Sequence, residues 1–500
     1  LASIGLALGL KPARGQAPAS HECFIVERDS VCIPGEECLH EDFFECESEG
    51  HFTPIVLNET GIEEMKTLVE QRSIVSGISL LTYSDQDIDN DGIHISPRDM
   101  MIDNESHSHR RRKLNHLKGP LVGDSYYLVV RVIDMNGLAY PHNTTTMSDN
   151  IFGTGSDQVN LKSQIADCSA GQLNLIPGLP PSATPAEVIA VNDVTIGLGH
   201  PPGFMEATIP INITDIKDAE NRTLVRRSVI NTVTDMLGFN LPGLFDHVVF
   251  ILEDCYHDCG WAAYAFVNSW LQVYKSDYYY YANVQVHEYG HNLGLGHSGI
   301  YGSGEYTDHT CSMGNPLYSD EVGKMCFNPA KSYQLNWYDR EVLDLTSGQW
   351  LGDVMGVGEW KDYPYNLTAI IKIETGTAAD FFVGFNRAAG ANAQNDEQDD
   401  KVTVTLVETG NGLSYSQSWR MFAGGADDIW TSPETYMSTG QNVIVTVNSI
   451  DTSVTPGRAN ICISLGPCVT AAPTAAPTAA PTAAPTAAPT KGDPGANSDP

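Results

Sequence analysis

The stretch from 286 to 298, V-H-E-Y-G-H-N-L-G-L-G-H-S, constrains local structure more tightly than any other part of this chain. It contains the pattern H-E-x-x-H-x-x-G-x-x-H. His287 and His291 are four residues apart, so on a helix both imidazoles leave one face about a turn apart. Glu288 lies beside that face, able to reach the same centre without being a ligand to it. Gly294 can take a left-handed conformation that ends the helix and turns the chain back, so that His297 supplies a third nitrogen. Three protein ligands with an open fourth position are the donor set of a catalytic rather than a structural zinc site. A histidine-bearing core helix is the plainer explanation of the first pair, but it leaves the added glycine and third histidine unexplained.

Shortly after His297, Thr310-Cys311-Ser312-Met313-Gly314 sets a methionine in a tight-turn context. A thioether there can pack against the ligand imidazoles; elsewhere such a methionine is simply core.

Composition narrows the setting. Five hundred residues are too many for one core, so two or three domains are expected. A formal net charge of −34 argues against nucleic acid and anionic membrane surfaces as partners. The eleven cysteines are scattered rather than set in C-x-x-C pairs, which points to disulfides in an oxidising compartment, with one thiol left over. Six glycosylation triplets, at Asn58, Asn104, Asn143, Asn212, Asn221 and Asn366, fit that compartment. No run of eighteen apolar residues is present, so no transmembrane span is expected.

Along the chain, 1–20 reads as part of a signal peptide, small and apolar with an Ala17-Pro18-Ala19 cleavage context. Residues 21–113 form an acidic pro-segment carrying Cys23, Cys32, Cys38 and Cys46, and ending in the basic run Arg110-Arg111-Arg112-Lys113. That run reads as a processing site, a solvated basic loop being the other reading. Within the segment, Asp87-Ile88-Asp89-Asn90-Asp91-Gly92 resembles half of a calcium (Ca2+) loop. Arg98 stands where the closing glutamate would be, and an acidic turn is the alternative. In 114–340, a strand is expected at Tyr126 to Asp134 and a helix at Asn221 to Leu237. A buried strand at His247 to Leu252 and a helix at Trp261 to Tyr274 follow. Tyr278 to Tyr281 lead into the histidine helix, for packing or to line a substrate pocket. From 341 to 468 strict alternation takes over, as at Val402, Val404 and Leu406 or Val443, Val445 and Val447, predicting a β-sandwich in which Cys462 and Cys468 can pair. Five Ala-Ala-Pro-Thr units make 469–500 an extended stalk.

Several stretches together resemble the gametolysin family of metzincin zinc peptidases, the cell-wall lytic enzymes of green algae. They are Ile151-Phe152-Gly153-Thr154-Gly155, Val159-Asn160-Leu161-Lys162-Ser163, Trp261-Ala262-Ala263-Tyr264-Ala265, the histidine motif with Ser298, Cys311-Ser312-Met313-Gly314, and the run from Phe327 to Trp337. The resemblance covers roughly Leu117 to Trp337. It implies an α+β fold: a metzincin-type protease domain, twisted sheet plus active-site helix, followed by the β-sandwich-like domain. It further implies zinc (Zn2+) held by His287, His291 and His297, Glu288 as general base, and Met313 as the Met-turn. Tyr318 is the candidate for the oxyanion-stabilising tyrosine of some metzincins. No cysteine-switch match is found in the acidic segment. The implied protein is a secreted zymogen, an endopeptidase acting on extracellular matrix or cell-wall glycoproteins, in which Glu288 takes a proton from zinc-activated water and passes it to the leaving amine. Substrate would lie extended along an edge strand. A catalytically inactive wall-binding protein on the same scaffold is the alternative; the intact triad and Glu288 are what distinguish the two.

Overall fold

The computed structural model describes residues 20–32, 43–70, 76–103 and 121–469, apart from 78, 85, 90–91, 216–218, 254–259, 321, 365–366, 378, 396, 409–416 and 438. The signal peptide up to 19, the basic run at 110–113, Asn104, Asn366 and the Ala-Pro-Thr repeat lie outside the described residues.

Runs of β-branched and aromatic residues build the main sheet. Its strands are β1 (Ser20–Cys32), β2 (Phe43–Ser48), β3 (His51–Pro54), β4 (Leu80–Ser84), β5 (Met101–Asp103), β6 (Gly123–Ile133), β7 (Leu173–Pro177), β8 (Phe204–Thr208), β9 (His247–Leu252), β10 (Trp261–Phe266) and β11 (Leu271–Lys275). The order is β3-β2-β1-β10-β11-β9-β6-β7, with β8 beside β6, β4 beside β1 and β5 beside β4. The expected strand at 126–134 is the interior of β6, fully buried from Tyr127 to Val130. Helices are α1 (Glu59–Glu70), α2 (Thr144–Phe152), α3 (Leu161–Cys168), α4 (Pro185–Val194), α5 (Ala219–Leu237), α6 (Ala282–Asn292) and α7 (Pro329–Leu335). In α5 the buried stripe is Val225, Val229, Ile230, Val233 and Leu237; Leu224, which the periodicity placed on that stripe, is half exposed. None of the described helices is long and apolar enough to cross a membrane.

The helix expected from Trp261 to Tyr274 is instead the antiparallel hairpin β10–β11, which turns at Asn268 (φ 52°). Every residue of both strands is buried. Trp261, Tyr264 and Phe266 face one core and Ala263 the other. With both faces buried, apolar periodicity carries no information to separate a strand from a helix.

Strands β1 to β5 belong to the acidic segment and extend this same sheet. β1 runs antiparallel to β10, with Asp29 opposite Ala265 and Arg28 opposite Phe266. A disulfide joins Cys23 to Cys46 across β1 and β2. Phe52 of β3 stacks on Phe266 with ring centroids 4.2 Å apart. Glu45 of β2 sits between Arg28 of β1 and Arg226 of α5, all three buried.

Beyond α7 the chain is almost entirely strand: β12 (Ser298–Ile300) before it, then β13 (Arg340–Leu343), β14 (Trp350–Met355), β15 (Ile370–Ile373), β16 (Asp380–Asn386), β17 (Lys401–Val407), β18 (Ser418–Gly424), β19 (Ile429–Thr435), β20 (Asn442–Asp451) and β21 (Arg458–Ser464). These form one sheet ordered β12-β18-β17-β16-β15-β13 and another ordered β14-β21-β20-β19. The alternating Val402 and Val404 meet Val443, Val445 and Ile461 in a core common to both sheets. Thr403 and Thr405, which alternate with these valines, are buried too. Helix α7 lies on that outer face, where Gly384 lets Pro329 approach so closely that a Cβ would stand 2.9 Å from its Cγ. Cys462 and Cys468 are bonded, as are Cys168 and Cys326, and Cys311 is the free buried thiol among the described residues. The whole is a mixed α+β fold, mostly sheet with few helices.

Candidate metal centre

Every residue of α6 is buried. The helix ends as its sequence requires: Gly294 adopts φ +83°, its N–H donates to His291 O (2.8 Å), and Leu295 N–H donates to Gly290 O (2.9 Å). That turn carries His297 back to the helix face. The result is three buried imidazoles whose ligand atoms all lie within 4.8 Å of one another. Nε2 of His287 and Nε2 of His291 are 3.1 Å apart. Ligands about 2.05 Å from a tetrahedral ion would be roughly 3.3 Å apart, so the spacing fits one shared ion. His287 Nδ1 faces Ser312 O at 2.8 Å and His291 Nδ1 faces Leu295 O at 3.0 Å. Donating Nδ1–H to a carbonyl leaves the Nε2 lone pair for a metal. Glu305 Oε2 stands 3.8 Å from His297 Nδ1 in the corresponding place.

Electrostatics agree with that division of roles. Burial, helped by the other imidazoles, holds His287 well below the usual histidine range, and burial brings His291 down to about 4. Both imidazoles are therefore neutral at ordinary pH, the form that can ligate a metal. Burial also lowers His297, but the Asp29 carboxylate outweighs it and brings His297 up to about 10. Glu288 is fully buried, neither of its oxygens makes a hydrogen bond, and burial followed by the charge of Asp29 pushes its carboxyl well above the carboxylate range. An unpartnered buried carboxylate beside three converging nitrogens is what a hydrolytic metal site needs for proton transfer.

Met313 is fully buried, and a Cβ on Gly290 would stand 2.3 Å from its Sδ, so the methionine turn packs directly on the middle of the motif. The loop after His297 is clamped. Ser298 Oγ donates to Asp308 Oδ2 (2.7 Å), and Asn328 Nδ2 donates to Ser298 Oγ (2.7 Å). Arg420 pairs with Asp308 (3.1 Å), and Ser418 N–H donates to His297 O (3.0 Å). Since β12 starts at Ser298 and pairs with β18, the C-terminal sheet holds the third histidine in place.

Tyr318 lies among Tyr278 and Tyr281, its hydroxyl 3.2 Å from Asn315 Oδ1. The tyrosine against the triad is Tyr306, whose ring lies 3.9 Å from that of His297. No motif pointed to Tyr306 or to Asp29, whose Oδ2 is 3.0 Å from His297 Nε2. In the acidic turn, Asp87 accepts from Ser84 and Asp89 faces His94 and Gly92, so both carboxylates serve their own turn; Asn90 and Asp91 lie outside the described residues. Among the described residues, the histidine triad is the one cluster whose donor atoms converge on a metal position.

A buried, convergent triad on a helix and its exit turn, in a mixed α+β fold, is an arrangement that could hold a metal ion. Residues 207–358 match the family model described as gametolysin peptidase M11, a stretch containing the entire triad, Glu288 and Met313. The match supports the gametolysin-like resemblance read from the sequence and indicates a peptidase. No curated protein matches the chain.

Proposed function

We propose that the chain is a secreted zinc endopeptidase of the metzincin type, acting on proteins of an extracellular matrix or cell wall. The observation that carries this reading is the convergence of three buried imidazoles, with the carboxyl group of Glu288, buried and without a hydrogen bond, on the helix that carries two of them. His287, His291 and His297 would hold the ion, which when bound supplies Lewis acidity toward the scissile carbonyl and the attacking water. Glu288 accepts the proton of the attacking water and returns it to the leaving amine. Its burial, which raises the carboxyl above the carboxylate range, favours taking up that proton and holding it for the leaving amine. The carbonyls of Ser312 and Leu295 keep the two helix imidazoles oriented while this happens. Cysteines paired in disulfides support an oxidising destination.

The test is metal analysis combined with cleavage of a peptide library by chain processed at the basic run, with and without chelator. One equivalent of zinc and chelator-sensitive cleavage are expected. A chain that retains no transition metal, or that cleaves equally well after chelation, contradicts the proposal.

A further inference from the structure

We propose that Asp29 is the residue that keeps the site latent: while β1 is seated on β10, its carboxylate occupies the fourth position on the ion held by His287, His291 and His297. This rests on the metallopeptidase reading above and adds to it how the site is shut.

The argument begins with backbone. β1 pairs antiparallel to β10, from Arg28 opposite Phe266 to Cys32 opposite Trp261. Without the acidic segment, β10 would be an edge of the main sheet. An exposed edge beside a hydrolytic centre is where an extended peptide adds as one more strand. β1 therefore lies in a substrate's place, and alternation along the strand decides which of its side chains faces the triad. Asp29 is that side chain. Its Oδ2 lies 3.0 Å from His297 Nε2 and 3.8 Å from His291 Nε2. These separations bracket the roughly 3.3 Å expected between two ligands of one tetrahedral ion.

The other carboxylate oxygen is already committed. Asp29 Oδ1 accepts from Ser30 N–H (2.9 Å) and from the Tyr306 hydroxyl (3.2 Å), which is also 3.0 Å from Ser30 O. Tyr306 packs its ring on His297 at the same time. Thus Oδ1 is tied to strand and tyrosine, while Oδ2 is the oxygen that lies beside His297 and His291. The rest of the segment holds β1 down through Glu45, buried between Arg28 and Arg226, and through Ser76, whose hydroxyl donates to Val267 O (2.8 Å). Release of the segment would withdraw the blocking carboxylate, free the β10 edge and unburden the Tyr306 hydroxyl together.

The experiment uses the full chain with cobalt in place of zinc, comparing wild type with Asp29→Ala and the near-isosteric Asp29→Asn. Loss of a carboxylate ligand should change the visible cobalt spectrum of the uncleaved variants, with melting temperature as the folding control. Acetohydroxamate, a small metal-seeking probe, is then titrated into each. If the closed form accounts for about 99 % of wild-type molecules, the probe should bind uncleaved wild type about 100-fold more weakly than Asp29→Ala. Wild type freed of its segment by cleavage at 110–113 should give the variant's spectrum. Should Asp29→Ala not fold, Asp29→Asn and the cleaved wild type decide. Identical spectra and equal probe affinity across folded wild type, variants and cleaved chain would overturn the role of Asp29 while leaving the peptidase reading standing. Failure of wild type to bind cobalt or zinc at all would remove that reading, and this inference with it.

Discussion

Glu288 is the residue whose environment makes least sense unless it does chemistry. A fully buried carboxylate without a hydrogen bond is destabilising, and nothing in the packing of α6 needs one there. Substituting it should therefore separate activity from stability. For Glu288→Ala, turnover of the processed enzyme is expected to fall by about 10²–10⁴, the usual worth of general acid–base assistance. Zinc content should stay at wild-type level and the melting temperature should not drop, because the change removes an unsatisfied buried group and alanine favours the helix. His291→Ala should behave oppositely, losing metal and activity together. Peptide turnover, metal analysis and thermal melts on both variants check this. Turnover above about a tenth of wild type in Glu288→Ala would mean another residue is the base.

Elements of the site hold one another at fixed contacts, and Gly290 makes one of the close ones. On helix propensity alone, Gly290→Ala should stabilise α6 by about 1 kcal/mol. The new Cβ, however, would stand 2.3 Å from Met313 Sδ, so the methionine turn must shift and the net effect should be a loss of about 1–3 kcal/mol. Combining it with Met313→Ala should cost less than the sum of the two single changes, which denaturant unfolding of all three variants would measure. The same contact explains why α6 and its turn were readable in advance. Ligand spacing, the left-handed Gly294 and Met313 are local signals, each with a backbone reason. β10–β11 was not readable, because Trp261 to Lys275 is buried on both faces and its pattern fits helix and strand equally. The burial of Thr403 and Thr405 is likewise beyond the reach of alternation, because α7 covers the face they occupy.

At the scale of the whole molecule, the acidic segment and the triad-bearing region share one sheet and a buried ion cluster. Glu45 is a negatively charged link in that cluster, set between Arg28 and Arg226, and burial already brings Arg28 down to about 10. Glu45→Ala should thus take from both buried guanidinium groups the counter-charge that this carboxylate supplies, at a cost of about 3–5 kcal/mol seen in the denaturant midpoint. A wild-type midpoint in that variant would show the cluster to be dispensable. Cleavage at the basic run should give secreted material beginning near Leu114, checked by N-terminal sequencing; an active form starting near residue 20 would make the segment part of the mature enzyme. Sequence alone determined the triad, its glutamate, the glycine turn and the methionine, because those residues lie within one helix and its exit and obey short-range geometry. Only tertiary structure decided that β1 lies on β10, that Asp29 and Tyr306 meet at His297, and that the C-terminal sheet clamps Ser298. Contacts between residues hundreds of positions apart leave no period and no motif in the chain, since they depend on how whole strands pair rather than on any residue's neighbours.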